Sequence, residues 1–194
     1  MVSRRWPEAL CVVAAAVLFV TLPDALVVGP PAVRYVVPVL EVALGIVLVA
    51  GNRRRASISL IALVGTGNAL TLAYLIHQLL YAGDVTGRTL LYAAFDIWVT
   101  NVIVFALLYW ELDGQTTAIT DFAFVQMTEP ETKAEGWHPR FTDYLYVSYT
   151  NATAFSPTDT LPLTRRAKML MLLQSAVSIV TLLLVAARAV NILR

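Results

Sequence analysis

Two carboxylates lie inside long apolar stretches of the chain, where an ionisable side chain is costly. Glu41 and Asp96 are each several residues from the ends of their stretches. Ionisable groups at membrane depth are typical of proton or cation relays and of ligand sites inside a helix bundle. The alternative is structural, with each carboxyl forming one hydrogen bond to a Ser, Thr, Asn or His on a neighbouring helix.

Three uncharged or weakly basic residues lie in the same stretches, and for the first two a structural role is predicted. Asn68 lies beside Gly65 and Gly67, and small residues let helices approach closely, so a helix-packing role is predicted. His77 lies about one turn from the end of its stretch and is predicted to be interfacial. Asn101 lies in the fourth apolar stretch and is a further polar candidate.

No catalytic or metal-binding motif is recognisable in the sequence. His77 and His138 share no ligand spacing, and the single cysteine, Cys11, has no partner for an intrachain disulfide. A zinc-protease helix, a nucleophile elbow and a glycine-rich phosphate loop are all missing. We therefore expect no enzyme activity, no metal and no cofactor, and the net charge of +1 gives no electrostatic basis for binding nucleic acid.

The composition is that of a membrane protein. Hydrophobic residues make up 58% of the 194 residues and charged residues 14%, with a mean hydropathy of +0.71. Soluble domains have roughly 45–50% apolar and about 25% charged residues. A soluble chain of this composition would expose large apolar patches, so we expect the lipid bilayer to be its main partner.

Five stretches are apolar enough to cross a hydrocarbon core of about 30 Å, which needs roughly 17–25 helical residues. They are residues 8–28, 34–51, 57–82, 89–112 and 169–193. We interpret the first as an uncleaved span rather than a signal peptide, because Pro23 and Pro30-Pro31 interrupt the places where cleavage would occur. The predicted fold is an all-α polytopic membrane bundle, with three leading transmembrane helices in residues 1–88 and a second unit in residues 89–194.

One connection, residues 113–168, is much longer than the others. Its first part is polar and acidic, whereas its second part is rich in aromatic residues. The stretch from Phe141 to Phe155 is amphipathic and too short to cross a bilayer. Short helices of this kind beside membrane spans are often re-entrant or interfacial, so we predict a re-entrant helix before the last span.

The residues that follow this helix resemble the pore region of the tetrameric potassium-channel superfamily. The chain keeps the spacing Asp159-x-x-Pro162-x-Thr164 before an apolar helix, and Tyr146 and Tyr149 stand where the pore helix carries aromatic residues. The resemblance implies an outer helix at residues 89–112, a loop and re-entrant segment at 113–168, an inner helix at 169–193, and a homo-oligomer, most simply a tetramer.

The filter itself departs from that family. Its glycine-rich signature is replaced by Ala154, Phe155, Ser156, Pro157 and Thr158. A potassium filter is a ladder of backbone carbonyls that needs glycine angles, and proline fixes its own φ. Potassium selectivity by that route is therefore not expected. A constriction here would be lined by hydroxyl groups, including that of Thr153, and by the Phe155 ring.

The C-terminal half is also similar to a family of uncharacterised bacterial inner-membrane proteins. The similarity rests on Asp143-Tyr144-Leu145-Tyr146, on Thr153, Ser156 and Asp159, on Thr164-Arg165 and on Gln174-Ser175. It implies a helix–loop–helix unit in an inner membrane and no particular activity. Asp143 has two possible roles: it caps the short helix, or it attracts cations at a vestibule.

The basic residues predict the orientation. Ten lysines and arginines fall in the N-terminal tail, the second connection and the long loop, against four on the other side. The positive-inside rule therefore places the N-terminus and the long loop in the cytoplasm. The pore loop of potassium channels faces outward, so either this loop is inverted or the span count differs by one.

Three functional hypotheses follow from these observations. The first is an oligomeric channel for ions or small solutes with its constriction at residues 153–159. The second is a non-conducting scaffold or regulatory subunit that has kept the channel-like architecture without the filter glycines. The third is a proton-coupled transporter that uses Glu41 and Asp96, although no internal repeat of the kind found in many transporters is visible.

Overall fold

The computed structural model describes residues 6–21, 33–50, 54–82, 86–113, 120–131, 136–153 and 160–192. Most of these residues are helical. Six α-helices follow one another in these ranges: α1 (Trp6–Thr21), α2 (Val33–Ala50), α3 (Arg54–His77), α4 (Gly87–Leu112), α5 (Phe141–Ala152) and α6 (Arg165–Ile192). A π-helical turn, Gln78–Ala82, continues α3.

Three helices within the described ranges are long and apolar enough to cross a bilayer. They are Ser57–Tyr81, Gly87–Leu112 and Arg165–Ala187, which match three predicted spans and are compatible with a membrane protein. α1 and α2 have 16 and 18 residues and lie at predicted positions. The first predicted span, residues 8–28, extends past the end of α1 into residues outside the described ranges, and the count of five spans stays a prediction.

Helix α4 forms the centre of the bundle. It contacts α1, α3, α5 and α6. Of the part of α4 that is long enough to cross a bilayer, 67% is buried, against 24% in α3 and 17% in α6. The main core joins Ile103, Phe105 and Tyr109 of α4 with aromatic residues of the long loop and α5. α3 and α6 therefore have exposed apolar surfaces, as expected of helices that contact lipid or another copy of the protein.

The short helix α5 lies antiparallel along the C-terminal half of α4. Near its start, the Tyr144 ring meets the Trp110 ring edge to face at 5.4 Å. At its end, the Ala152 carbonyl accepts a hydrogen bond from the Trp98 indole N–H at 3.4 Å. α5 has 12 residues, or about 18 Å of helix, and the interval from Trp98 to Trp110 has the same length. The end of α5 therefore lies beside the middle of α4.

Two short strands make the fold more than a purely α-helical bundle. β1 (Phe122–Phe124) and β2 (Thr160–Pro162) pair antiparallel, with Phe124 opposite Thr160. Neither strand was predicted, because three residues are too few for a visible alternation of apolar and polar side chains. The rings of Phe122 and Phe124 lie 6.1 and 5.4 Å from that of Tyr144, so this part of the long loop packs over the start of α5.

Candidate functional site

The filter-like segment predicted from the sequence lies almost wholly outside the described residues. Ala154, Phe155, Ser156, Pro157, Thr158 and Asp159 fall between the last residue described after α5 and the start of β2. Thr153 is described and ends the helix. Its hydroxyl donates to the carbonyls of Tyr149 and Thr150, both at 3.1 Å. The structure therefore defines what holds the two ends of this segment.

The N-terminal end of α5 is capped by Asp143. Its carboxylate accepts a hydrogen bond from the Arg140 backbone N–H at 2.6 Å, which is the reciprocal half of a capping box. Tyr146 and Tyr149 lie on the exposed face of α5, and the Tyr149 ring contacts Trp98 edge to face at 5.7 Å. Asp143 therefore caps the short helix, which is the first of the two roles considered for it. The Tyr146 and Tyr149 side chains are exposed.

A buried glutamine joins α4, α5 and α6. The Gln174 Oε1 atom accepts hydrogen bonds from the Tyr109 hydroxyl at 2.7 Å and from the Asn151 amide at 2.9 Å. Its Nε2 atom donates to the Ser148 hydroxyl at 2.7 Å and to the Ser148 carbonyl at 2.9 Å. The Ser148 hydroxyl in turn donates to the Val102 carbonyl at 2.7 Å. The Gln174 amide thus fixes the position of α5 along α4 and α6.

Asn101, one of the predicted intramembrane polar residues, belongs to this same junction. Its amide donates to the Ser178 hydroxyl at 2.8 Å and to the Gln174 carbonyl at 3.3 Å. Asn151 donates in addition to the Met171 carbonyl at 3.0 Å. Since Asn101, Gln174 and Ser178 are buried, the contact between α4 and α6 is specified by paired polar groups rather than by apolar packing alone.

A second polar cluster holds the other end of the segment. The Asp121 carboxylate, which is buried, accepts from the Thr164 hydroxyl and forms an ion pair with Arg166. Arg166 also donates to the Leu112 carbonyl at 2.9 Å. Pro162 lies opposite Phe122 in the sheet. β2 and the start of α6 are therefore tied to the C-terminal end of α4.

The same cluster extends to α5 through Asp113. The Tyr144 hydroxyl donates to the Asp113 carboxylate at 2.5 Å, and the other oxygen of that carboxylate accepts from the Asp121 backbone N–H at 2.5 Å. Burial raises the pKa of the Tyr144 phenol, and the neighbouring Asp113 carboxylate raises that pKa further. The phenol therefore stays neutral and keeps donating to Asp113.

The two predicted intramembrane carboxylates line one cavity. Glu41 of α2 and Asp96 of α4 are 2% and 6% exposed, and both border a space of about 180 Å³ between α2, α3 and α4. Asn68 borders it too, and its amide donates to the Ile97 carbonyl at 3.0 Å, which fits the helix-packing role. His77 is exposed at the end of α3, with its ring 5.1 Å from that of Tyr81.

Apart from Asn101 and Thr164, the residues that form the two polar clusters were not among the predicted site residues. Gln174, Ser178 and Thr181 are buried on α6, and their spacing of four and three residues puts them on one face of a helix. This row of polar residues in an otherwise apolar helix could have indicated the junction from the sequence alone. Asp113 and Asp121 gave no such signal, because acidic residues in a polar loop usually face solvent.

Comparisons with protein-family models, curated proteins and solved structures find no match. What the chain does must therefore be inferred from its own geometry.

Proposed function

We propose that the protein is an oligomeric membrane channel for ions or small solutes, in which α4 is the outer helix, α5 the pore helix and α6 the inner helix. The constriction is formed by residues 153–159. The protein resides in a bacterial inner membrane, with its N-terminus and long loop in the cytoplasm as the basic residues predict.

The position of α5 is the observation that carries this proposal. α5 descends beside α4 from the level of Trp110 to the level of Trp98, near the midpoint of the 26-residue α4. By Thr160 the chain pairs with β1 at the C-terminal end of α4. A short helix that ends beside the middle of α4, in a chain that pairs with β1 again by Thr160, is what a re-entrant pore loop would require.

The two polar clusters give this arrangement the rigidity that a pore needs. The Gln174 junction fixes the deep end of α5, and the Asp121 cluster fixes β2 and the start of α6. Irregular backbone at membrane depth is tolerated only where protein or a water-filled cavity satisfies its polar groups. The chain is thus held at Thr153 and again from Thr160 onward, on the two sides of the segment in which we propose the constriction.

The proposal requires more than one copy of the chain, because one outer helix, one loop and one inner helix cannot enclose a pore. α6 carries an exposed apolar surface suited to contact with other copies or with lipid, which includes Met169, Leu172 and Leu183. A tetramer is the simplest assembly by resemblance. Because the filter glycines are absent, we expect selectivity to be set by hydroxyl groups and pore width rather than by a carbonyl ladder.

The test is flux into proteoliposomes that contain the purified full-length protein, with potassium, sodium and chloride gradients compared. Phe155→Ala combined with Thr158→Gly should change the rate or the ion preference, because these side chains line the proposed constriction. Leu80→Ala is the matched control: it removes an exposed leucine, 69% exposed, from the end of the leading helices, and should leave the flux unchanged.

Two results would contradict the proposal. A protein that is monomeric both in detergent and in the bilayer cannot form this pore. Absence of flux for every ion, from protein shown to be folded and oligomeric, would favour the non-conducting scaffold or regulatory subunit.

A further inference from the structure

The cavity that Glu41 and Asp96 share has room for a ligand. Its volume of about 180 Å³ exceeds the roughly 10–15 Å³, on the same measure, that one water molecule requires. Most of its walls are apolar, among them Phe19 of α1, Leu40 of α2 and Leu63 of α3. A largely apolar space with a few convergent polar groups is the usual form of a small-molecule site.

Glu41 has an unpaired oxygen in this setting. Its Oε2 atom is buried and has no hydrogen-bond partner among the described residues. Glu41 also borders a smaller cavity, whose other described lining residues are all apolar. The polar side chains that line a cavity together with Glu41 are therefore those of the larger cavity. A buried carboxylate oxygen without a partner is costly, and a cation bound beside the carboxylate would lower that cost.

Most of the other polar groups of the cavity act as hydrogen-bond acceptors toward it, whereas the Thr100 hydroxyl can donate or accept. The Thr66 and Thr71 hydroxyls already donate to the Ala62 and Gly67 carbonyls at 2.8 and 3.0 Å. The Asn68 amide donates to Ile97, which leaves its side-chain carbonyl oxygen as an acceptor. Among the described lining residues there is no Lys, Arg or His. The cavity therefore offers two carboxyls and several acceptor oxygens, and the positive charge must come from a ligand.

The apolar walls distinguish between kinds of cation. A bare metal ion would need oxygen ligands on most sides, whereas aliphatic and aromatic side chains form most of this lining. An organic ammonium ion suits both the carboxylates and the apolar walls of the cavity. Its N–H groups donate to the carboxylates, and its hydrocarbon part packs against the apolar side chains.

The cavity is separate from the proposed pore. Asp96 and Thr100 border the cavity and are four residues apart, on one face of α4. Trp98 and Val102, which bond to α5, lie on the opposite face, since two residues turn a helix by about 200°. A site here does not depend on whether residues 153–159 conduct.

We propose that the cavity between α2, α3 and α4 is a binding site for a small organic cation, a protonated amine with an apolar substituent, whose charge lies with the Glu41 and Asp96 carboxylates. The site lies at the depth of the midpoint of α4, out of reach of a lipid headgroup at the bilayer surface. Its ligand is therefore a free amine.

The test measures saturable binding of radiolabelled benzylamine at pH 7 to the full-length protein in lipid nanodiscs, with empty nanodiscs as background. Glu41→Gln and Asp96→Asn should each weaken binding by about thirtyfold or more, because each removes one partner of a buried charge interaction. Glu131→Gln, which neutralises an exposed carboxylate outside the cavity, should bind as the wild type does. Gel filtration and circular dichroism check that each variant is folded.

Competition identifies the ligand class. Unlabelled benzylamine should displace the probe, whereas benzyl alcohol, which has the same shape without the charge, should not. Displacement by sodium chloride at concentrations equal to those of the amine would overturn the assignment in favour of an inorganic ion site. Absence of saturable binding to folded wild-type protein, or equal binding by the Glu41→Gln and Asp96→Asn variants, would overturn the site itself.

Discussion

Gln174→Leu tests whether one buried amide holds α5 at its depth between the two long helices. Leucine has a similar volume and no hydrogen-bonding group, so the substitution removes four side-chain hydrogen bonds without opening a large cavity. The Tyr109 O–H loses the acceptor it donates to, since the neighbouring Asn151 amide is a donor, and Tyr109 is 0% exposed, so that O–H cannot turn to water. Ser148 keeps its bond to Val102, and Asn151 keeps its bond to Met171.

The expected cost follows from these partners. An orphaned buried hydroxyl costs about 1–3 kcal/mol, and each lost interhelical hydrogen bond in a membrane protein about 0.6 kcal/mol. With the Tyr109 hydroxyl orphaned and three other hydrogen bonds lost, we therefore expect Gln174→Leu to lower the free energy of unfolding by about 3–5 kcal/mol. For a chain of this size that corresponds to a fall in Tm of about 6–20 °C, measured by thermal denaturation of the detergent-solubilised protein followed by gel filtration.

Two matched variants make the result specific. Lys168→Ala alters an exposed side chain outside the apolar surface of the same helix, and should change stability by no more than about 0.5 kcal/mol. Tyr109→Phe added to Gln174→Leu removes the orphaned hydroxyl and should recover part of the loss. A Gln174→Leu variant with wild-type Tm would refute the role assigned to the junction, as would a double variant that recovers nothing.

Two other features of the fold make further predictions. A methyl group added at Gly65 would lie 3.0 Å from a Val104 methyl carbon, whereas one added at Gly67 would meet nothing within 4 Å. Gly65→Ala should therefore be less stable than Gly67→Ala by about 1 kcal/mol in thermal denaturation; equal Tm values would contradict the close approach of α3 and α4. The raised pKa of Tyr144 beside Asp113 means that above about pH 10 the unfolded chain loses a proton that the folded chain keeps, so stability falls as pH rises. Tyr144→Phe should lose stability less steeply over that range in unfolding measurements at pH 9–11, and an unchanged slope would contradict the burial of this phenol.

The long apolar helices were predictable because their length and composition are local properties of the chain. α4 begins and ends within two residues of its predicted bounds, Gly87–Leu112 against 89–112. The last helix, α6, begins at Arg165 rather than at residue 169, because Thr164 caps it: the Thr164 hydroxyl accepts from the Ala167 N–H at 3.1 Å. The prediction started the helix only where the apolar run starts, and so missed this polar first turn.

The polar clusters were less predictable because they join residues far apart in the chain. Asp121 and Arg166 are 45 residues apart, and Tyr109 and Gln174 are 65 apart. Nothing in the local pattern pairs them; the pairing follows from how α5 and the strands pack on α4. Glu41 and Asp96 could be singled out from the cost of burying charge, but only the packing of α2, α3 and α4 shows that they border one cavity.

The re-entrant position proposed for α5 is tested most directly by measuring the depth of two residues in the bilayer. In a Cys11→Ser background, one spin label replaces Tyr149, which is 52% exposed on α5, and another replaces Leu161, which is 66% exposed on β2. Electron paramagnetic resonance with oxygen and a water-soluble relaxant then gives the immersion depth of each label. Tyr149 lies beside Trp98, and β2 is held at the level of Leu112, so we expect the first label to lie about 15–20 Å deeper than the second. Equal depths, with both labels in contact with water, would contradict a helix that enters the membrane and with it the proposed pore.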